Sequence, residues 1–279
     1  MLRILKNLIY LTFALALAGC VTADSVDLES RSIAMDQNAE PAGAAGQVAS
    51  AEVAQLLPRT GPTYVTLTVS QLQDGSGTSG SASSKRAITS GSGFIVSSDG
   101  YVMTAAHVAV AKGNEISARA ANGRVYSGSV VGINANNDMA VLKLRGFNGK
   151  AVAPAGPGCL AKGDMVYTLG KPHGGGDTAR VGALEALHFG RPVAYGKFGY
   201  PDAIVLHMGT QRGESGGPVF DGKGQLIGMV VSTLSDTNGQ SINLSHAIPA
   251  NTLATYLCSQ TSCNGAWPAL ASKQTDTCG

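Results

Sequence analysis

A serine flanked by glycines lies in residues 210–220, which read Thr-Gln-Arg-Gly-Glu-Ser-Gly-Gly-Pro-Val-Phe. Glycines on both sides of Ser215 allow the backbone to turn sharply and to present a hydroxyl beside neighbouring amides. The amides of Gly213 and Ser215 would then stabilise the oxyanion that forms when the hydroxyl attacks a carbonyl. The segment therefore predicts a nucleophilic serine with its oxyanion hole.

A histidine and an aspartate precede this serine. His107 ends the segment Thr-Ala-Ala-His, and Asp138 begins the run Asp-Met-Ala-Val-Leu. In the order His, Asp, Ser, the histidine would act as general base and the aspartate would orient its imidazole. The other aspartates weighed for this role, which lack that combination of order and apolar run, are Asp99, Asp164, Asp177 and Asp202.

On these motifs the chain resembles chymotrypsin-fold serine proteases, and among them the bacterial HtrA (Deg) proteases, from about residue 61 to residue 257. The matching segments are 91–96, 104–107, 137–142, 169–172, 212–218 and 247–251. The resemblance implies an all-β fold of two six-stranded antiparallel β-barrels of chymotrypsin type with a short C-terminal helix. It also implies a protein or peptide substrate and no cofactor. Because only about twenty residues follow Ser259, we expect no PDZ domain of the kind that most HtrA proteins carry.

The resemblance also locates a specificity pocket. Its floor is Gly209, and its walls come from Thr210, from Val231 and Ser232, and from the segment that contains His246. A pocket for lysine or arginine needs a buried carboxylate, because an unpaired buried charge is too costly. Gly209 supplies none, so we expect small or medium apolar residues before the scissile bond. Cleavage after glutamate would instead indicate a role for His246.

The N-terminus has the pattern of an export signal. A positively charged start precedes an apolar run over residues 8–17, and Leu-Ala-Gly-Cys resembles the lipobox of bacterial lipoproteins. We predict a signal peptide over residues 1–20 and lipidation of Cys20, with an ordinary secretory signal or a short anchor and an incidental cysteine as the alternatives. Because Val21 rather than aspartate follows, we expect an outer-membrane lipoprotein facing the periplasm. A lipid-blocked N-terminus could not pair with Glu214, as a newly cut one does in chymotrypsin relatives, so no such zymogen switch is expected.

Composition and charge fit a β-rich unit. The chain has 279 residues, 44% of them hydrophobic, and 37 glycines, which suit short strands joined by turns. A flexible tether is expected over residues 21–59, the protease domain over 60–260 and a tail over 261–279. The net charge is +2 without a basic block beyond the N-terminus, so we expect no nucleic-acid binding.

Four cysteines remain after Cys20, an even number that suits disulfides in an exported chain. Four cysteines allow three pairings. We favour Cys258 with Cys263 and Cys159 with Cys278. No paired C-x-x-C or histidine cluster is present, so a zinc site is not predicted.

Alternating β-branched and apolar residues predict the strands. Those expected in the first barrel are residues 64–69, 92–96, 101–104, 115–119, 124–133 and 140–145, and those in the second are 165–169, 179–188, 203–208, 218–220 and 225–234. The glycine- and serine-rich residues 74–84 predict a loop, and residues 250–259 predict a helix.

Two other functions are alternatives to a protease. Residues 213–217 fit the nucleophile elbow of an α/β-hydrolase, with Asp236 and His246 following in the order Ser, Asp, His. However, no alternation of strands and helices surrounds Ser215. The second alternative is a non-catalytic binding protein on a protease fold.

Overall fold

A computed structural model describes residues 32–36, 44–73, 84–154 and 160–272, and strands dominate it. The strands before residue 150 are β1 (Ala34–Met35), β2 (Tyr64–Gln73), β3 (Ser84–Ile95), β4 (Tyr101–Thr104), β5 (Glu115–Ala120), β6 (Val125–Asn134) and β7 (Met139–Leu144). Strands β2 to β7 close a barrel in the order β2-β3-β4-β7-β6-β5, and every pairing in it is antiparallel.

A second barrel follows. Its half of the chain contains β8 (Met165–Gly170), β9 (Thr178–Ala186), β10 (Val193–Tyr195), β11 (Phe198–Tyr200), β12 (Ile204–His207), β13 (Pro218–Asp221), β14 (Leu226–Ser235) and β15 (Ser241–Pro249). The sheet runs β9-β12-β15-β14-β13-β8, and β8 also pairs with β9, which closes it. The predicted fold of two six-stranded antiparallel barrels is thereby confirmed. Strand β1 adds to β9 in parallel, and β10 and β11 form a separate hairpin.

The alternation of side chains explains how each barrel fills. In β5, Ile116, Ala118 and Ala120 are buried, whereas Ser117 and Arg119 are exposed. A strand that points alternate residues to opposite faces can line a barrel interior while its other face meets solvent. The second barrel has its own apolar cluster, which includes Val166, Leu184, Ile204, Leu206 and Val230.

The tether predicted over residues 21–59 needs correction where the structure describes it. Residues 44–60 form a helix, α1 (Ala44–Thr60), in which Val53 is fully buried and Ala49 nearly so. Arg59 Nη2 also donates a hydrogen bond to the Lys223 carbonyl at 2.9 Å. The alanine-rich sequence carries only a weak apolar stripe, so the helix depends on the surface against which it packs.

Several elements were not predicted: the hairpin β10–β11, strand β15 and the helices α2 (Ala106–Ala109) and α4 (Trp267–Ala271). The expected helix is present as α3 (Ala250–Gln260). Trp267 is buried, and its Nε1 donates to the Val96 carbonyl at 3.1 Å, which fixes α4 on the first barrel. Most of the predicted loop, residues 74–83, lies outside the described residues.

Cys258 and Cys263 form a disulfide with Cα atoms 4.8 Å apart, which closes the short loop after α3. The other predicted pair, Cys159 with Cys278, and the predicted lipidation site Cys20 lie outside the described residues. None of the helices in the described ranges has the length and hydrophobicity needed to cross a bilayer.

Candidate active site

Asp138 holds His107 at two points. Its Oδ2 lies 2.8 Å from His107 Nδ1, and its Oδ1 accepts a hydrogen bond from the His107 backbone N–H at 2.9 Å. The Asp138 side chain is fully buried, whereas 26% of the His107 side chain is exposed. Because Nδ1 faces the carboxylate, Nε2 is the ring nitrogen that can exchange a proton with a substrate.

The turn between β6 and β7 positions the Asp138 carboxylate. Asp138 has φ 44° and ψ 45°, the left-handed region that aspartate and asparagine tolerate better than most residues. It follows a 3₁₀ turn, Ala135–Asn137, in which the Asn134 side chain accepts the Asn137 amide at 3.2 Å. The other four aspartates bond elsewhere: Asp99 with Lys143, Asp164 with the Ala161 amide, Asp177 with Tyr64 and Asp202 with His188.

The loop of Ser215 docks closely on the first barrel. The Ser215 carbonyl accepts the Ser92 amide at 2.9 Å. Gly216 has φ 85°, and a Cβ there would lie 2.2 Å from both the Ser92 carbonyl oxygen and the Thr104 hydroxyl. Only glycine permits this approach, which brings the serine beside the strand that leads to His107. The Ser215 hydroxyl lies 3.5 Å from the Val231 carbonyl.

In the described part of the chain, the amides of Gly213 and Ser215 donate to no backbone carbonyl. The Arg212 carbonyl accepts the His173 amide, and the Gly213 carbonyl accepts the Ser92 hydroxyl, each at 2.8 Å. In a trans peptide the N–H points opposite to the C=O, so the first bond turns the Gly213 amide away from His173. In the described residues neither amide is used by a backbone carbonyl, so both are free of backbone acceptors and can donate to a substrate carbonyl oxygen.

A tyrosine that the sequence reasoning missed completes the histidine's surroundings. The Tyr195 hydroxyl donates to Asp138 Oδ2 and lies 3.4 Å from His107 Nδ1. Burial and the neighbouring Asp138 charge raise the pKa of Tyr195, so its hydroxyl keeps its proton and remains a donor. Tyr195 ends β10, and Phe198 of the same hairpin also packs edge-on to His107. The available signal was the Gly196–Lys197 pair between aromatic residues, which suits a hairpin turn.

Uncharged groups surround the predicted pocket floor. A Cβ on Gly209 would lie 2.6 Å from Asn243 Oδ1. The Thr210 hydroxyl lies 2.8 Å from that of Thr233 and 2.9 Å from that of Ser245. These contacts supply no carboxylate that would pair with a basic side chain.

His246, which the sequence places on a wall of the pocket, packs among aromatic side chains. It is fully buried, its Nδ1 is 2.8 Å from the Tyr200 hydroxyl, and its ring packs on Phe189 with centroids 4.2 Å apart. Burial lowers the pKa of His246 to about 4. The Ser232 hydroxyl lies 2.7 Å from the same Tyr200 oxygen. His246 is thus a neutral, buried residue, and the hydrogen bonds described for its ring lead to Tyr200 rather than to Ser215.

Glu214 is fully buried and accepts Arg180 Nε at 2.8 Å on both carboxylate oxygens. The sequence reasoning did not identify this partner. Arg212, two residues before Glu214, is exposed. No cluster of three or more histidine, cysteine, aspartate or glutamate side chains suited to a metal ion occurs in the described ranges.

A family model described as a trypsin-like peptidase domain matches residues 91–229, which include His107, Asp138 and Ser215. The chain contains a trypsin-like peptidase domain. Over 170 residues it is 34% identical to a probable periplasmic serine endoprotease, DegP-like, of Brucella suis, which covers 60% of this chain and 32% of that protein. Over 166 residues it is 36% identical to the putative serine protease HhoB of Synechocystis sp., and this match covers 58% of this chain and 38% of that protein. The matched part spans about a third of the length of these relatives.

The trypsin-like domain also resembles a solved structure, the HtrA-type protease AlgW with tripeptide. The TM-score is 0.61 at 28% identity, over 74% of this chain and 62% of that chain. Sequence and structure together show that the domain is homologous to the DegP/HtrA serine proteases, and the resemblance predicted from the motifs is confirmed.

Proposed function

We propose that the protein is a serine endopeptidase that hydrolyses peptide bonds through an acyl-enzyme. The observation that carries the proposal is the pair of hydrogen bonds between Asp138 and His107. They lie beside a serine loop in which the amides of Gly213 and Ser215 donate to no backbone carbonyl of the described residues. The homologous serine proteases support it further. The proposed catalytic residues are His107, Asp138 and Ser215, with Gly213 and Ser215 as oxyanion donors.

In the proposed reaction, Ser215 Oγ attacks the scissile carbonyl while His107 Nε2 removes the hydroxyl proton. The carbonyl oxygen becomes an oxyanion that the Gly213 and Ser215 amides stabilise. Collapse of this intermediate breaks the peptide C–N bond, and the imidazolium donates its proton to the leaving amine. Water then attacks the ester, His107 again removes the proton, and the acid product leaves as Ser215 is restored.

For substrates we propose peptide bonds of exported or misfolded proteins. The relatives named as periplasmic endoproteases and the AlgW structure with its tripeptide support this class. In the proposed domain arrangement the protease domain spans residues 60–260 and is followed by a tail over 261–279. The uncharged surroundings of Gly209 favour small or medium apolar residues before the scissile bond.

The alternative is a non-catalytic binding protein on the same fold, and one experiment separates the two. We expect a fluorophosphonate probe to label the wild-type protein at Ser215 and the protein to cleave casein. Ser215→Ala should abolish labelling, and Ser215→Ala or His107→Ala should lower peptide hydrolysis by about 10⁶-fold. A folded wild-type protein that neither reacts with the probe nor cleaves casein would favour the binding protein.

We further propose membrane attachment through a lipid on Cys20, with the domain in the periplasm. The lipobox-like Leu-Ala-Gly-Cys motif supports the lipid, and the periplasmic relatives support the compartment. Cys20→Ser should abolish metabolic labelling with a fatty acid, whereas a Cys258→Ser control should keep it. Recovery of unlabelled, freely soluble wild-type protein from the cell envelope would contradict the anchor.

A further inference from the structure

A chain of buried charges runs from the N-terminal segment to the serine loop. Arg180 on β9 binds Glu214 through Nε, with 2.8 Å to each carboxylate oxygen. Its Nη1 binds the Asp36 carboxylate. The exposed fractions are 7% for the Arg180 side chain, 15% for Asp36 and none for Glu214. The guanidinium thus joins two carboxylates that lie far apart in sequence, and the proposed peptide chemistry uses none of the three.

Strand β1 brings Asp36 to this place. Ala34 and Met35 pair in parallel with the first residues of β9, and the Ala34 amide donates to the Asp177 carbonyl at 2.9 Å. The Asp36 amide donates to the Ala179 carbonyl at 2.8 Å. Backbone bonds at Ala34 and at Asp36 itself thus hold this segment along β9, with the Asp36 side chain beside Arg180.

Glu214 is tightly built into the serine loop. Its carboxylate also accepts the Gln211 amide, and its own amide donates to the Gln211 carbonyl at 3.1 Å. Its carbonyl accepts the Gly217 amide at 3.0 Å. Strand β8 leaves no spare room, since a Cβ on Gly170 would lie 2.8 Å from Glu214 Cβ. Withdrawal of the Glu214 carboxylate would break its bond to the Gln211 amide, two residues before Gly213.

Burial raises the pKa of Glu214, and the Arg180 charge opposes that rise. A buried carboxylate that loses its cation becomes an uncompensated charge, which either takes up a proton or moves to water. Arg180 is thus the counter-charge that allows an ionised Glu214 inside the loop. Asp36 holds the far end of the same guanidinium, which limits the rotamers that Arg180 can adopt.

We propose that the N-terminal segment 32–36 positions the oxyanion-hole amides through Asp36, Arg180 and Glu214. Asp36 and Arg180 touch no reacting atom, so they are positioning residues. The inference rests on the proposed peptidase activity, because its effect is read in the rate of acyl transfer. Strand β1, which lies outside both barrels, would thus help to set the conformation of the loop beside Ser215.

The test compares full-length variants in peptide hydrolysis and in fluorophosphonate labelling. Asp36→Asn should lower kcat and the labelling rate by about tenfold with KM changed less than about twofold, because a charge-assisted hydrogen bond is lost far from the substrate pocket. Asp36→Glu should recover most of the rate. Asp99→Asn, which breaks the exposed pair with Lys143, is the matched control and should change neither quantity.

A double-mutant cycle separates positioning from general destabilisation. In a Glu214→Gln background the buried charge is gone, so adding Asp36→Asn should have much less effect than it has alone. Amide hydrogen exchange of residues 211–217 gives a readout that needs no turnover, and it should rise in Asp36→Asn without a matching fall in melting temperature.

The outcomes distinguish the two proposals. If Asp36→Asn hydrolyses peptides at the wild-type rate and its residues 211–217 exchange at the wild-type rate, the positioning role is wrong. The proposed peptidase activity is not affected by that result. Equal effects of Asp36→Asn with and without Glu214→Gln also overturn it. A wild-type protein without hydrolysis contradicts the proposed function, and the exchange measurement then still decides whether Asp36 orders the loop.

Discussion

The Tyr195 hydroxyl donates its hydrogen to Asp138 Oδ2, the same oxygen that lies 2.8 Å from His107 Nδ1. A hairpin from the second half of the chain therefore contacts the carboxylate that the first barrel presents. Asp138 Oδ1 is bound to the His107 backbone amide, so both oxygens of the carboxylate have partners. The imidazole is thus oriented by Asp138 and Tyr195, which come from two segments other than its own.

Removal of this hydroxyl should affect turnover more than binding. We expect Tyr195→Phe to lower kcat about tenfold with little change in KM, because a hydrogen bond to a charged group is lost while the ring still packs on His107. Steady-state kinetics with a peptide substrate measure this. Tyr126→Phe, whose ring packs on Phe147, is the control and should be unaffected. Unchanged kcat in Tyr195→Phe would mean that the hydroxyl does not help to orient the imidazole.

The proposed floor of the specificity pocket, Gly209, carries no charge, which predicts the residue preferred before the scissile bond. The wild-type protein should cleave after Val, Ala or Leu and poorly after Lys or Arg, whereas Gly209→Asp should gain cleavage after basic residues because it adds a carboxylate. The new Cβ would lie 2.6 Å from Asn243 Oδ1, so the Asn243 side chain must shift to admit it. Peptide-library profiling measures both proteins. Dominant wild-type cleavage after basic residues refutes the pocket assignment, and cleavage after Glu that disappears in His246→Phe would make His246 a specificity residue.

His246 should make folding sensitive to acid. Its pKa is lowered by burial from 6.5 to about 4, so the fold favours the neutral imidazole. The stability gained from the neutral imidazole is fully present above the unfolded pKa of 6.5. It decreases by about 2 to 3 kcal/mol as the pH falls towards 4. Urea unfolding of wild type and His246→Phe at pH 7 and pH 4.5 should show a smaller pH dependence in the variant. Replacing the exposed His207 by Gln should keep the wild-type slope, and equal slopes for His246→Phe and wild type would contradict the assignment.

Two glycines with similar backbone angles should differ in their tolerance of alanine. Gly239 has φ 79° with open space around it, so Gly239→Ala should cost about 1 kcal/mol from the left-handed conformation alone. Gly216 has φ 85° and would also place a methyl group against Ser92 and Thr104, which adds about 1 to 3 kcal/mol. Melting curves measure the difference. Gly216→Ala should also reduce fluorophosphonate labelling of Ser215, and equal stability of the two variants would show that the loop is not tightly docked.

Local sequence determined the barrels and the candidate residues of the site. Alternation in β5, the turn glycines and the motifs around His107, Asp138 and Ser215 act over a few residues, so their consequences can be read without a partner segment. The fold class and the two barrels followed from these local patterns and from the family resemblance that they support.

The tertiary structure decided the features that depend on distant segments. Tyr195 is 57 residues from Asp138, and Asp36 is 144 residues from Arg180. No local spacing links such pairs, because the energy of each contact is gained only after the barrels have brought the segments together. The helix α1 and the strand β1 have weak patterns of their own and form where the barrels offer a surface or an open strand edge. The sequence alone thus named which groups can perform the chemistry, and the packing of remote segments selected which neighbours hold them in place.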